Sequence, residues 1–203
     1  MASKAIQMVC VALSAIGLIG VIICCALPEW LVIHLDNEEV HYGLWKMCGK
    51  YRTGLQECIT YENLLLPIFS DIRAFRPMTI NSCILCGLSL LILIFGSDFT
   101  RCVQNENTKP KMILAAGVGL LLAGLLVIIP VSWETNTIKN IRIAQEPNEI
   151  RNAAERMMEM MLGASIYIGF IAGLMLMLTG GLLCCLSRSS SSGGTASFFS
   201  NRV

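Results

Sequence analysis

The sequence predicts a membrane protein: a bundle of four transmembrane helices carrying a small extracellular antiparallel β-structure, an α+β architecture. Three observations predict it. Hydrophobic residues make up 55% of the 203 positions and charged residues only 14%, whereas soluble domains carry roughly 25% charge. Four windows, 6–27, 78–95, 112–131 and 162–186, contain no Asp, Glu, Lys, Arg or His, and each is close to the about 20 apolar residues that cross a bilayer. Between the first two windows lies a stretch with strand composition and turn punctuation.

In lipid each backbone polar group must find its partner within its own segment, so the four windows are helices. The first is preceded by Lys4 and invites reading as a signal peptide. Its 22 residues exceed the roughly 7–15 of a signal core, which favours a retained span. The chain then forms one membrane domain over 1–186, with outer loops at 28–77 and 132–161. The Ser- and Gly-rich tail 187–203 is expected to be disordered.

Four spans place both termini on one side. Lysine and arginine speak weakly about which side. The termini and the 96–111 loop hold six of the fifteen, the other two loops nine over about twice the length. Cysteine decides. Cys48 and Cys58 are reduced thiols in a cytosol but pair outside, so the termini are expected in the cytosol. Closing that loop contributes roughly 3 kcal/mol in the chain-entropy model.

The first outer loop is long enough to fold by itself. Residues 30–35 read as a strand, Asp36-Asn37 as a turn, 40–48 as a second strand and 55–61 as a third, with the disulfide stapling the last two. Residues 64–69, with Ile72 and Phe75, read as a short amphipathic helix leading into the second span. In the second outer loop, the apolar spacing over 148–161 predicts an extension of the fourth helix. Small residues at four-residue spacing (Ala115, Gly119, Ala123; Gly169, Gly173) predict close helix packing, chiefly within one subunit.

Several patterns weigh little. Cys83 and Cys86 form a C-x-x-C inside the second span, where they read as packing residues. His34, His41, Cys48 and Cys58 lack the spacing of a compact zinc site, and the methionines at 157–161 read as apolar helix-end surface rather than a copper site. Neither a metal nor a cofactor is expected. The spans hold no ionisable relay, and no nucleophile–base set or phosphate loop occurs, so an enzyme, a transporter and a nucleic-acid binder are poor readings. Cys102, Cys184 and Cys185 lie just beside the second and fourth spans, as S-palmitoylated cysteines do.

The run Trp30…Gly43-Leu44-Trp45-x-x-Cys48…Cys58 resembles the first outer loop of the claudin family, four-span proteins of tight junctions. The resemblance extends along most of the chain: Arg76 at the end of that loop, Leu122–Leu125 with Pro130-Val131-Ser132-Trp133, Asn136-Thr137-Ile138, Leu162–Phe170 and Cys184-Cys185. The loop motif alone is shared with peripheral-myelin-type proteins and receptor auxiliary subunits; the further matches favour claudins.

The resemblance implies a left-handed four-helix bundle, and a small sheet built from both outer loops. It also implies assembly with other claudin-like subunits in cis and in trans, and a paracellular barrier or weakly selective ion passage lined by the sheets. The alternative is an auxiliary subunit or adhesion regulator of another membrane protein. Cation-selective relatives carry acids at positions that here are Tyr51, Ile59 and Thr60, all neutral, flanked by Lys50 and Arg52. The aromatic pair of the second loop is replaced by Ile141 and Ile143. The terminal Val203 fits a PDZ scaffold pocket by strand addition, without the usual tyrosine before it.

Overall fold

The computed structural model describes residues 4–35, 38–51, 55–60, 70–97, 108–144 and 159–196. They form four helices and five strands. In chain order these are α1 (Lys4–Ala26), β1 (Leu31–Leu35), β2 (Glu38–Tyr42), β3 (Lys46–Tyr51), β4 (Gln56–Thr60), α2 (Ser70–Gly96), α3 (Lys109–Ala144), β5 (Glu159–Leu162) and α4 (Ala164–Ala196). Each helix contains a stretch long and apolar enough to cross a membrane: Lys4–Ala26, Ala74–Gly96, Lys109–Ile138 and Ala164–Ser187.

Local chemistry sets the helix ends. Pro28 follows α1 and cannot extend it. Thr108 precedes α3 and its carbonyl accepts from Met112 N at 3.1 Å, while Pro110 sits in the first turn, where its missing N–H costs nothing. Ser97 closes α2 by donating to the Ile94 carbonyl at 2.7 Å. Pro77 and Pro130 lie inside α2 and α3, an interruption that membrane helices tolerate.

The sheet has the order β4-β3-β2-β1-β5 with antiparallel neighbours throughout. The chain packs as two units. The first comprises Met1–Ile19, Asn81–Leu126 and Ile171–Val203; the second comprises Gly20–Ile80 and Val127–Phe170 and contains the sheet.

Within the first unit, α3 and α4 approach backbone to backbone. A Cβ on Gly180 would stand 2.6 Å from the Gly117 carbonyl oxygen, and one on Gly124 2.8 Å from that of Gly173. Ser82 Oγ donates to the Ala123 carbonyl at 2.7 Å and ties α2 to α3. In the second unit, Gly169 lies against Cys24 and Val131. Gly169, Gly173 and Ala123 thus serve packing inside the subunit. In lipid such contacts rest on close approach and hydrogen bonds, because lipid tails are as apolar as the side chains.

Three expectations require correction, and a fourth, the second outer loop, gains detail. Residues 40–48 are not one strand: β2 stops at Tyr42 and β3 starts at Lys46, because Gly43 N donates to the Lys46 carbonyl at 3.0 Å and reverses the chain around Leu44-Trp45. The expected outer loop 132–161 is helical at its start, since α3 runs on to Ala144. Nothing between Ser132 and Ala144 breaks a helix, and propagation adds one hydrogen bond per residue. At about 1.5 Å per residue α3 is roughly 54 Å long, well beyond the roughly 30 Å of a hydrocarbon core. Residues 159–162 do not extend α4. They form β5 against β1, and Gly163 separates them from the helix. The tail 187–203 is helical as far as Ala196. The expected amphipathic helix over 64–69 lies outside the described residues, whereas 70–77 is helical and continuous with the second span.

Candidate functional site: the five-stranded sheet and its anchors

The anchors begin where α1 ends. In a regular helix the carbonyls of Cys24 and Cys25 would accept from the amides four residues on. Pro28 has no N–H, and the chain turns away at Glu29, so both carbonyls need other donors. Trp30 Nε1 donates to the Cys24 carbonyl at 2.9 Å, and Trp45 Nε1 to the Cys25 carbonyl at 2.9 Å. The two motif tryptophans therefore cap the C-terminus of the first span. The Trp30 ring is buried and stacks on Phe75 of α2 with centroids 6.4 Å apart.

Arg76 secures the same corner from α2. Its Nε donates to the Leu44 carbonyl at 2.7 Å, and its guanidinium lies 5.3 Å from the centroid of the Trp45 ring. Leu44 is fully buried, so the turn between β2 and β3 is clamped by a buried side chain and a charge-assisted hydrogen bond. Gly43 is required by space, since a Cβ there would run into the Pro28 backbone. Gly163 N donates to the Trp30 carbonyl at 3.1 Å and Ser165 N to the Glu29 carbonyl at 3.1 Å. A Cβ on Gly163 would collide with Glu29. Burial pushes the Tyr42 phenol at the end of β2 above its ordinary value.

Cys48 and Cys58 stand directly opposite each other in the β3–β4 register and are disulfide-bonded. The staple ties β4, exposed along its length, to the rest of the sheet. Strand alternation sorts the remaining positions. Cys48, Lys50, Cys58 and Thr60 share one face. Tyr51 and Ile59 share the other, with Met47 opposite Ile59. The candidate selectivity positions are thus divided between two faces. Ile59 is 50% exposed and Tyr51 37%, and Lys50 and Thr60 are exposed as well.

Other candidates are scattered. Ile141 and Ile143 fall in the last turns of α3 rather than in a loop. Cys184 is partly buried in α4 and Cys185 exposed. Arg52, Cys102 and Val203 lie outside the described residues.

Sequence reasoning missed two features. Strand β5, which joins the second loop to the first, hides in a short Met-rich stretch with helical spacing. The cluster of His34, Glu39 and His41 was also missed. Here a signal existed, because the turn expected from Asp36-Asn37 implies a hairpin register, and in the structure His34 stands opposite Glu39.

Four apolar helices and a disulfide-stapled sheet anchored on the ends of the spans define a class of four-span membrane protein. The PMP-22/EMP/MP20/Claudin family model matches residues 4–183, and the chain belongs to that family. Among its relatives, Claudin-4 of Homo sapiens is 38% identical over 191 residues, covering 91% of this chain and 87% of that protein. Claudin-3 of Homo sapiens is 37% identical over 189 residues, covering 90% and 82%. The claudin-like protein ZF-A89 of Danio rerio is 35% identical over 191 residues, covering 91% and 88%.

Proposed function

We propose that the chain is a claudin-type structural component of tight-junction strands, with a non-enzymatic role. The observation that carries this reading is the clamped, disulfide-stapled sheet, held by residues of the family motif, in a chain whose relatives are named Claudin-3 and Claudin-4. Those relatives favour this reading over an auxiliary subunit of another membrane protein. The spans cross a membrane with both termini in the cytosol. Copies associate with other claudin-like subunits in cis and in trans. Val203 contributes a weak PDZ contact, and Cys184-Cys185 are acylated beside the membrane.

The finer reading is a barrier, or a passage without strong cation preference. A narrow, partly desolvated passage selects ions through the charge on its walls. Tyr51 and Ile59 place exposed neutral side chains where cation-selective relatives are expected to carry acids. Expression in fibroblasts that lack junctions, followed by freeze-fracture imaging, tests the function. Intramembrane strands at cell contacts are expected, with this chain alone or together with other claudins. Their absence in both settings overturns it.

A further inference from the structure

The chain holds two histidines in 203 residues, and both converge on one carboxylate. His34 Nδ1 stands 3.4 Å from Glu39 Oε1, and His41 Nε2 stands 3.8 Å from Glu39 Oε2. The register explains the cluster. His34 on β1 lies directly opposite Glu39 on β2, and His41 follows two residues later on the same face. The remaining partners in register are Glu159 on β5 opposite His34, Lys50 on β3 opposite Glu39, and Cys48 on β3 opposite His41. Cys48 is locked in the disulfide and does not titrate.

The side chains of His34 and Glu39 are 36% and 44% exposed, so the cluster opens to the medium on that side, whereas the His41 side chain is 20% exposed and its Nδ1 is buried without a hydrogen-bond partner. Among the described residues no group of three His, Cys, Asp or Glu is placed to hold a metal ion. The five strands carry Glu38, Glu39, Glu57 and Glu159 against Lys46 and Lys50, a formal charge of −2 with neutral histidines and 0 with both charged. Imidazole is the side chain whose unperturbed titration falls near neutral pH.

We propose that the His34–Glu39–His41 cluster is a proton-responsive charge switch that removes the net negative charge of the sheet as the medium on its side acidifies. In a claudin strand it shifts the paracellular passage away from cations. That consequence rests on the proposed function; the uptake of protons does not.

Two measurements test it. The full-length protein in lipid nanodiscs, with isotope-labelled histidine, presents two ring signals to NMR. Signals that move toward the charged form as the sample is acidified from about pH 8 to about pH 5 support the switch, and a ring that stays neutral over that range overturns it as stated. In epithelial monolayers expressing the chain, outer acidification from about pH 7.4 to about pH 6 is expected to lower the cation-over-anion permeability ratio roughly two-fold, the size of a change of a few tenths of a kcal/mol across a screened distance. The double variant His34→Asn, His41→Asn is expected to lose that response. An equal response in the double variant, or none in the wild type, overturns the coupling to ions. If the chain forms no strands, the proposed function fails, while the ring titration still decides proton uptake.

Discussion

Trp30 donates its indole N–H to the carbonyl of Cys24 at 2.9 Å, the carbonyl that Pro28 leaves without its helical partner. The side chain thus ends the first span and, by stacking on Phe75, fixes the end of the second span beside it. Trp30→Phe keeps an aromatic ring and removes the donor. A buried carbonyl left unsatisfied costs about 1–3 kcal/mol, and a lowered melting temperature of the purified protein in detergent is expected. Unchanged melting would show that another donor reaches Cys24.

Arg76→Lys retains the charge. It loses the planar guanidinium that lies by the Trp45 ring while donating to the Leu44 carbonyl. Lysine is not equivalent at a stacked, directional site, so a loss of about 1–3 kcal/mol and reduced surface delivery by biotinylation are expected. Full rescue by lysine would mean that charge alone matters.

Gly43 and Gly49 make a controlled pair. A Cβ at Gly43 meets the Pro28 backbone, and one at Gly49 meets nothing within 4 Å. Gly43→Ala is expected to destabilise by about 1–3 kcal/mol, as overpacking does. Gly49→Ala should stay within about 0.5 kcal/mol of the wild type. Thermal melts of the two variants side by side check the difference.

Cys58→Ser breaks the staple between β3 and β4. Membrane insertion is expected to survive, because no span depends on it. The sheet should lose roughly 3 kcal/mol, seen as faster proteolysis of the loop on intact cells. Unchanged surface delivery together with unchanged barrier resistance would refute a structural role for the pair.

Ile59→Asp and Thr60→Asp place the same charge one residue apart on opposite faces of β4. If the Tyr51–Ile59 face lines the passage, the first raises the cation-over-anion permeability ratio roughly two-fold or more, and the second does so less. Dilution potentials across expressing monolayers measure both. The reverse ranking would assign the lining to the Cys48–Thr60 face.

Much of this was legible in the chain itself. Charge-free windows of span length leave the backbone no choice but helix, so all four spans could be read off without packing information. The cysteine pair was legible because chemistry and location agreed. The break between β2 and β3 was not, although Gly43-Leu44-Trp45 was in plain view. As a motif it looked like strand, and only the closeness of Pro28 and the reach of Arg76 make it a turn.

Strand β5 and the charge cluster show the remaining boundary. By itself the sequence determined what each segment could bury: apolar spans, a half-polar outer loop and a disulfide. Those properties follow from composition and from the absence of water in the bilayer core. The tertiary structure decided which edges met. Glu159–Leu162 became a strand because β1 offered it backbone groups to pair with, overriding the helical spacing. The pairing of β1 with β2 brought His34 and His41 onto Glu39, because alternation along a strand says which residues share a face and only the register says which of them meet across strands.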